Sequence, residues 1–112
     1  MSELRYVSLC GMLGYGYPAD SLKRALDFAP HFLGVDAGST DPGPYYLGSG
    51  ESFVRPLQTR RDLAPALQAA CAASIPLIIG SAGGAGARPH LEATVALVRA
   101  LAREAGLRLR LA

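Results

Sequence analysis

The sequence predicts an α/β fold, an open Rossmann-like parallel sheet of about four strands with helices on both faces. Three observations lead there. Short β-prone apolar runs alternate with segments whose apolar residues recur at three and four, in the order strand, helix, strand, helix, strand, helix, strand. Most glycines gather in the loops that follow the strands, while the opposite connections are short. Half of the 112 residues are hydrophobic against 18% charged, the composition of a packed core and not of a disordered chain. Residues 1–112 read as one α/β domain or as the N-terminal part of a longer protein.

The first strand is expected over Leu4–Cys10. A helix follows, with Leu22, Ala25, Leu26 and Ala29 on one face. Phe32–Asp36 is the second strand. The second helix carries Leu63, Ala66, Leu67, Ala70 and Cys71 on its apolar face. Thr59 is a candidate N-cap that places the Asp62 carboxylate in the first turn. Pro65 then sits in that turn or kinks the helix. Leu77–Gly80, inside PLIIG, is the third strand. The third helix runs through Leu91, Val95, Val98, Leu101, Ala102 and Ala105, opened by Pro89 and stopped by Gly106. In LRLRLA, Leu107–Leu111 alternates leucine with arginine like a half-exposed fourth strand. Either it is an edge strand guarded by arginines or the chain is the front of something longer, and the second is favoured.

Right-handed crossovers bring the C-terminal ends of all strands to one edge, where open α/β sheets bind ligands. The first strand is expected inside the sheet, in the order 2-1-3-4 or 3-2-1-4. Three loops, Gly11–Pro18, Ala37–Gln58 and Ser81–Arg88, should therefore meet in one crevice.

Several functions are set aside by composition. A net charge of +2 without a Lys/Arg cluster argues against nucleic acid. Cys10 and Cys71 form no CxxC pattern and read as small core residues in a reducing cytoplasm. The N-terminus lacks a secretory layout, and the apolar run from Ile75 to Gly80 is far too short to span a membrane. A soluble cytoplasmic protein without membrane contact is expected.

The loops carry the candidate chemistry. GMLGYGYP has glycines where a dinucleotide fingerprint would lie, but spaced G-x-x-G-x-G, and no residue completes a Walker motif. Gly11, Gly14, Tyr15 and Gly16 are candidate ligand contacts through backbone amides, and a tight turn needing positive φ is the alternative. GSAGGAG offers Ser81, Gly83 and Gly84 as an amide-rich cradle for an oxyanion or carboxylate. It is neither a nucleophile elbow nor a P-loop, and no base is assigned beside Ser81. GVDAGSTD looks locally like the D-x-G-[ST] phosphate loop of actin-like ATPases and sugar kinases. There the loop joins antiparallel strands, whereas here two prolines follow that cannot donate to a ladder, so the match is rejected.

Asp36 ends a strand at the functional edge, where it is a general base, an acceptor for a substrate hydroxyl, or a cap of its own turn. Asp41 and His90 are further candidate catalytic residues, with a turn cap as the alternative for Asp41 and a solvated first-turn place as the alternative for His90. Gly38, Ser39, Thr40, Tyr45 and Tyr46 are candidate ligand contacts, the tyrosines, with Tyr15 and Tyr17, as apolar walls with polar tips or as loop-on-loop packing. A metal held by Asp36, Asp41 and His90 has no dense ligand spacing behind it, and none is assigned. The cofactor is left open. His31 lies at the opposite edge and is expected to be structural.

SLCGMLGYGYP, GVDAGSTDPGPYYLGSG and PLIIGSAGGAGARPH together resemble the N-terminal region of the acyclic terpene utilisation (AtuA-like) proteins, a bacterial family whose members are several times longer. The resemblance spans nearly all of the chain. It implies catabolism of branched acids or acyclic terpenoids at the coenzyme A thioester stage, and carries no catalytic role to any residue. The expected ligand is a small carboxylated or acyl-thioester metabolite. A second domain or subunit is a possible partner, and a homo-oligomer is expected. The rival expectation is a non-catalytic domain that docks another chain.

Overall fold

The structure, a computed structural model, describes residues 2–112. Its elements are β1 (Tyr6–Ser8), α1 (Ala19–Leu26), β2 (Phe32–Asp36), α2 (Tyr45–Ser49), α3 (Pro56–Ala73), β3 (Leu77–Gly80) and α4 (Arg88–Ala105). The three strands are parallel, with Tyr6 opposite Phe32 and Leu33 opposite Leu77. The parallel α/β reading, the second and third strands and the last helix stand as expected. Pro89 lies in the first turn of α4, and Gly106 ends it in the left-handed region at φ 65°.

The order is β1-β2-β3, which corrects the expected order. β1 is an edge strand instead of an internal one, and β3 forms the other edge. Both crossovers step the same way across the sheet, so β2 takes the centre. Right-handed crossovers that step the same way put their helices on the same face. Leu22 of α1, Leu63, Ala66, Leu67 and Ala70 of α3, and Val98 and Leu101 of α4 accordingly share one core with Leu33 and Val35 of β2. Helices on both faces are therefore not found among the described residues. The opposite sheet face shows Tyr6 and Ile78, both more than half exposed.

The expected fourth strand is also absent among the described residues. The Leu107 amide bonds to the Ala102 carbonyl at 2.8 Å, closing the end of α4. Leu107 and Leu109 then lie against the core, and Leu107 shares a groove with Ala64 and Leu67 of α3. The leucine-arginine alternation thus records an extended tail lying on the helices. Its inward leucines need no ladder.

Helix limits differ where caps differ. α1 ends at Leu26, and Ala29, expected on its face, lies beyond it at φ 48°. α3 starts earlier than expected, with Arg55 as N-cap and Pro56 in the first turn. The Gln58 side-chain oxygen takes the Arg55 amide at 3.2 Å. Thr59 is consequently not the cap, and Asp62 sits past the first turn with 2% of its surface exposed. Pro65 is inside the helix, where it removes one backbone donor. The short helix α2 falls within the loop after β2, where the sequence suggested none.

The centre of the fold is Leu33, with no exposed surface in the middle strand. Leu33→Ala should cost about 3 kcal/mol in urea unfolding through the cavity it leaves. Leu57→Ala, at a side chain 76% exposed, should stay within about 0.5 kcal/mol of the parent.

Candidate functional site

The first glycine loop turns inward. Gly14 and Gly16 have φ values of 106° and 89°, open to glycine and rare for other residues. At Gly14 a Cβ would lie 2.2 Å from the Val54 side chain. In this shape the amides of Gly14 and Gly16 both donate to one oxygen of Asp62, at 2.7 and 2.9 Å. Arg61 Nε donates to the other oxygen at 2.9 Å, and Arg61 Nη2 to the Gly14 carbonyl at 2.9 Å. The loop is an anion cradle whose anion is the protein's own carboxylate. Gly11, Gly14, Tyr15 and Gly16 therefore do not line the crevice expected of them, and Tyr15 is 64% exposed. Asp62 was missed as a functional partner, although it lies four residues before Ala66 on the apolar face of α3, where an unpaired acid would be costly.

Two side chains register this arrangement. The Tyr17 hydroxyl donates to the Asp62 carbonyl at 2.5 Å. Burial, then the nearby Asp62 charge, then Cys10 push the Tyr17 phenol up to about 12. Burial foremost, and Asp62 next, also raise the Cys10 thiol, which donates to the Met12 carbonyl at 3.2 Å. Cys10 is thus held as a thiol, poorly suited to nucleophilic work.

The other two loops do meet. At the C-terminal ends of β2 and β3 they enclose a cavity of about 650 Å³. Asp36, Gly38, Ser39 and Thr40 form one side, and Ser81, Gly84 and Ala85 another. Tyr46 and Leu47 of α2, with Phe53 and Met12, supply apolar surface. The two loops touch at Gly38, where a Cβ would lie 2.6 Å from Ser81 Cβ and 2.9 Å from the Gly84 carbonyl. Of the expected contacts, Gly83 and Tyr45 stay outside. Gly83 backs onto His90, and Tyr45 is 62% exposed with its hydroxyl toward Glu51. Met12, Leu47 and Phe53 were missed, because apolar loop residues carry no signal until the loops are folded together.

Asp36 is exposed, and of its expected roles the turn cap is the one seen. One carboxylate oxygen accepts the Gly38 amide at 2.8 Å, capping its own turn. Among the described residues the second oxygen has no partner, and the side chain lines the cavity. It is the only charged side chain there, since no Lys, Arg or His lines the cavity. Ser81 has φ 48°. Ala29 and Ser74, the other non-glycine residues with positive φ, follow helix ends, where a left-handed residue is the usual stop. Ser81 instead follows a strand and stands in the cavity wall. No hydrogen bond among the described residues uses the Ser81, Ala82 or Gly83 amides.

Asp41 and His90 lie outside the cavity lining. His90 is 1% exposed, with Nε2 at 2.8 Å from the Glu51 carbonyl and 3.0 Å from the Tyr46 carbonyl. Two acceptors require the proton on Nε2, and Nδ1 is buried without a partner. His90 is thus neither solvated nor in the cavity lining: it ties α2, which carries the Tyr46 wall, to α4. The described residues hold no group of three metal-type ligands, and Asp36, Asp41 and His90 do not assemble one. No described helix is long and apolar enough to cross a membrane. No family model matches the chain, and no curated protein or solved structure matches it either.

Asp62→Ala should cost about 3 kcal/mol, because it leaves two loop amides and a guanidinium without their acceptor, and urea unfolding will measure it. Tyr17 gives a pH signature. Its folded pKa of about 12 lies above the ordinary 10, so the unfolded chain ionises first. Its contribution is complete below pH 10 and is lost as pH rises toward 12. Tyr17→Phe should flatten stability against pH in that window, as read by thermal unfolding.

Proposed function

We propose that this chain is a catabolic enzyme domain that binds a small acyl metabolite, at the thioester stage, in the cavity between the Asp36 and Ser81 loops. The observation that carries the proposal is the charge of the cavity, one carboxylate and no cation. A free carboxylate or phosphate would face Asp36 with nothing to neutralise it. A thioester carbonyl is uncharged and escapes that repulsion.

The free oxygen of Asp36 suits a substrate hydroxyl or amide as acceptor, or a proton as general base. The Ser81 amide, unused within the chain and belonging to a cavity-lining residue, suits the carbonyl oxygen, on which negative charge grows in acyl chemistry. Tyr46, Phe53, Leu47 and Met12 offer apolar surface for a branched tail. The likeness of the three glycine loops to the acyclic terpene utilisation proteins points to the same substrates, branched acids or acyclic terpenoids. Two free cysteines fit a reducing cytoplasm. The uncovered sheet face favours a second reading, a non-catalytic domain completed by another chain.

Thermal shift decides between them. Short branched acyl thioesters should raise the melting temperature of the protein, while the matching free acids should not. Asp36→Asn should keep the parent's unfolding curve but lose at least tenfold in turnover of the thioester that binds. Equal shifts with acids and thioesters would exclude the charge argument, and no shift with either would favour the docking domain.

A further inference from the structure

We propose that the segment leading into β1, residues 2–6, pairs antiparallel with the same segment of a second copy of this chain, centred on Leu4, and joins the two sheets into one of six strands. The inference is independent of the ligand proposed for the cavity. It starts from where the backbone groups of β1 point. The His31 amide donates to the Arg5 carbonyl at 2.8 Å, and the Leu9 amide to the Gly34 carbonyl at 3.0 Å. The Arg5 amide donates to His31 Nδ1 at 2.9 Å. Residues 5, 7 and 9 therefore face β2. By alternation, the N–H and C=O groups of Leu4, Tyr6 and Ser8 face outward, toward no described strand.

That edge is apolar and open. Leu4 is 61% exposed, Tyr6 64% and Phe28 73%, around a groove of about 510 Å³ between β1 and the end of α1. No proline or lysine guards it.

Charge selects the occupant and the register. Glu3 and Arg5 flank Leu4 and form an ion pair within the chain. In an antiparallel pair centred on Leu4, the two Leu4 residues exchange both hydrogen bonds. Each Glu3 then stands opposite the other copy's Arg5, at the close-approach positions of the ladder. Centring on Arg5 would instead set arginine against arginine. Every register centred on one residue satisfies a two-fold axis, and centring on Leu4 is the one that sets Glu3 against Arg5. The edge of β3 offers nothing similar. It is bounded by Pro76 and Gly80, and residues 75–80 carry no charge to set a register.

Size-exclusion chromatography with light scattering across the micromolar range should show a dimer that dissociates on dilution. Leu4→Pro removes an outward amide that the monomer does not use, so it should abolish the dimer while circular dichroism stays that of the parent. Arg5→Glu opposes like charges at both symmetry-related positions and should weaken the dimer about tenfold. The exchanged pair Glu3→Arg with Arg5→Glu restores opposite charges and should recover most of that loss. A chain that is monomeric throughout, or a dimer indifferent to both Leu4→Pro and Arg5→Glu, overturns the proposal. So does an exchanged pair as weak as Arg5→Glu alone.

Discussion

A single buried carboxylate, Asp62, organises the functional edge of this protein. It takes the amides of Gly14 and Gly16 and the guanidinium of Arg61, and its own carbonyl takes the Tyr17 hydroxyl. A carboxyl group at 2% exposure is tolerable only when its oxygens are filled, and this loop and Arg61 fill them. The same contacts pin the segment after β1 to α3, so Met12 comes to rest against the cavity. The glycines are required for this, since their positive φ angles turn the amides of Gly14 and Gly16 toward one oxygen.

With the first loop committed to Asp62, the cavity is lined mainly by the loops after β2 and β3. Their closure rests on a second close approach, Gly38 against Ser81 and Gly84, and on the His90 tie that holds α2 above them. Neither contact uses a charged group. Asp36 therefore remains the one charged side chain lining the cavity, and the proposed ligand chemistry rests on its isolation.

The sheet is half-covered as a consequence of strand order. Three parallel strands added in one direction place their helices on one face and leave two free edges. Parallel sheets are rarely left bare on one side, so Tyr6, Ile78 and the outward groups of β1 form surface suited to contact. The cavity opens at the ends of the strands and the proposed pairing lies along the segment leading into β1, so both can operate together.

Periodicity and punctuation determined three strands and the helices α1, α3 and α4, but not α2 or the extended tail. The spacing of Leu63, Ala66, Leu67 and Ala70, the run Leu77–Gly80, and the Pro89 and Gly106 signals are local properties of the chain, written in residues near one another. They also made the loops after β2 and β3, with Asp36 and Ser81, legible as a candidate site. What needed the tertiary structure was every choice among distant partners. Strand order turns on the direction of each crossover, which alternation leaves undetermined. The role of Gly14 and Gly16 depends on Asp62, 48 and 46 residues away, and that of His90 on carbonyls 44 and 39 residues away. A glycine loop declares that it can hold an anion, but only folding brings the anion. Here the chain supplied its own, because burying Asp62 on the apolar face of α3 required donors that this loop alone was shaped to provide.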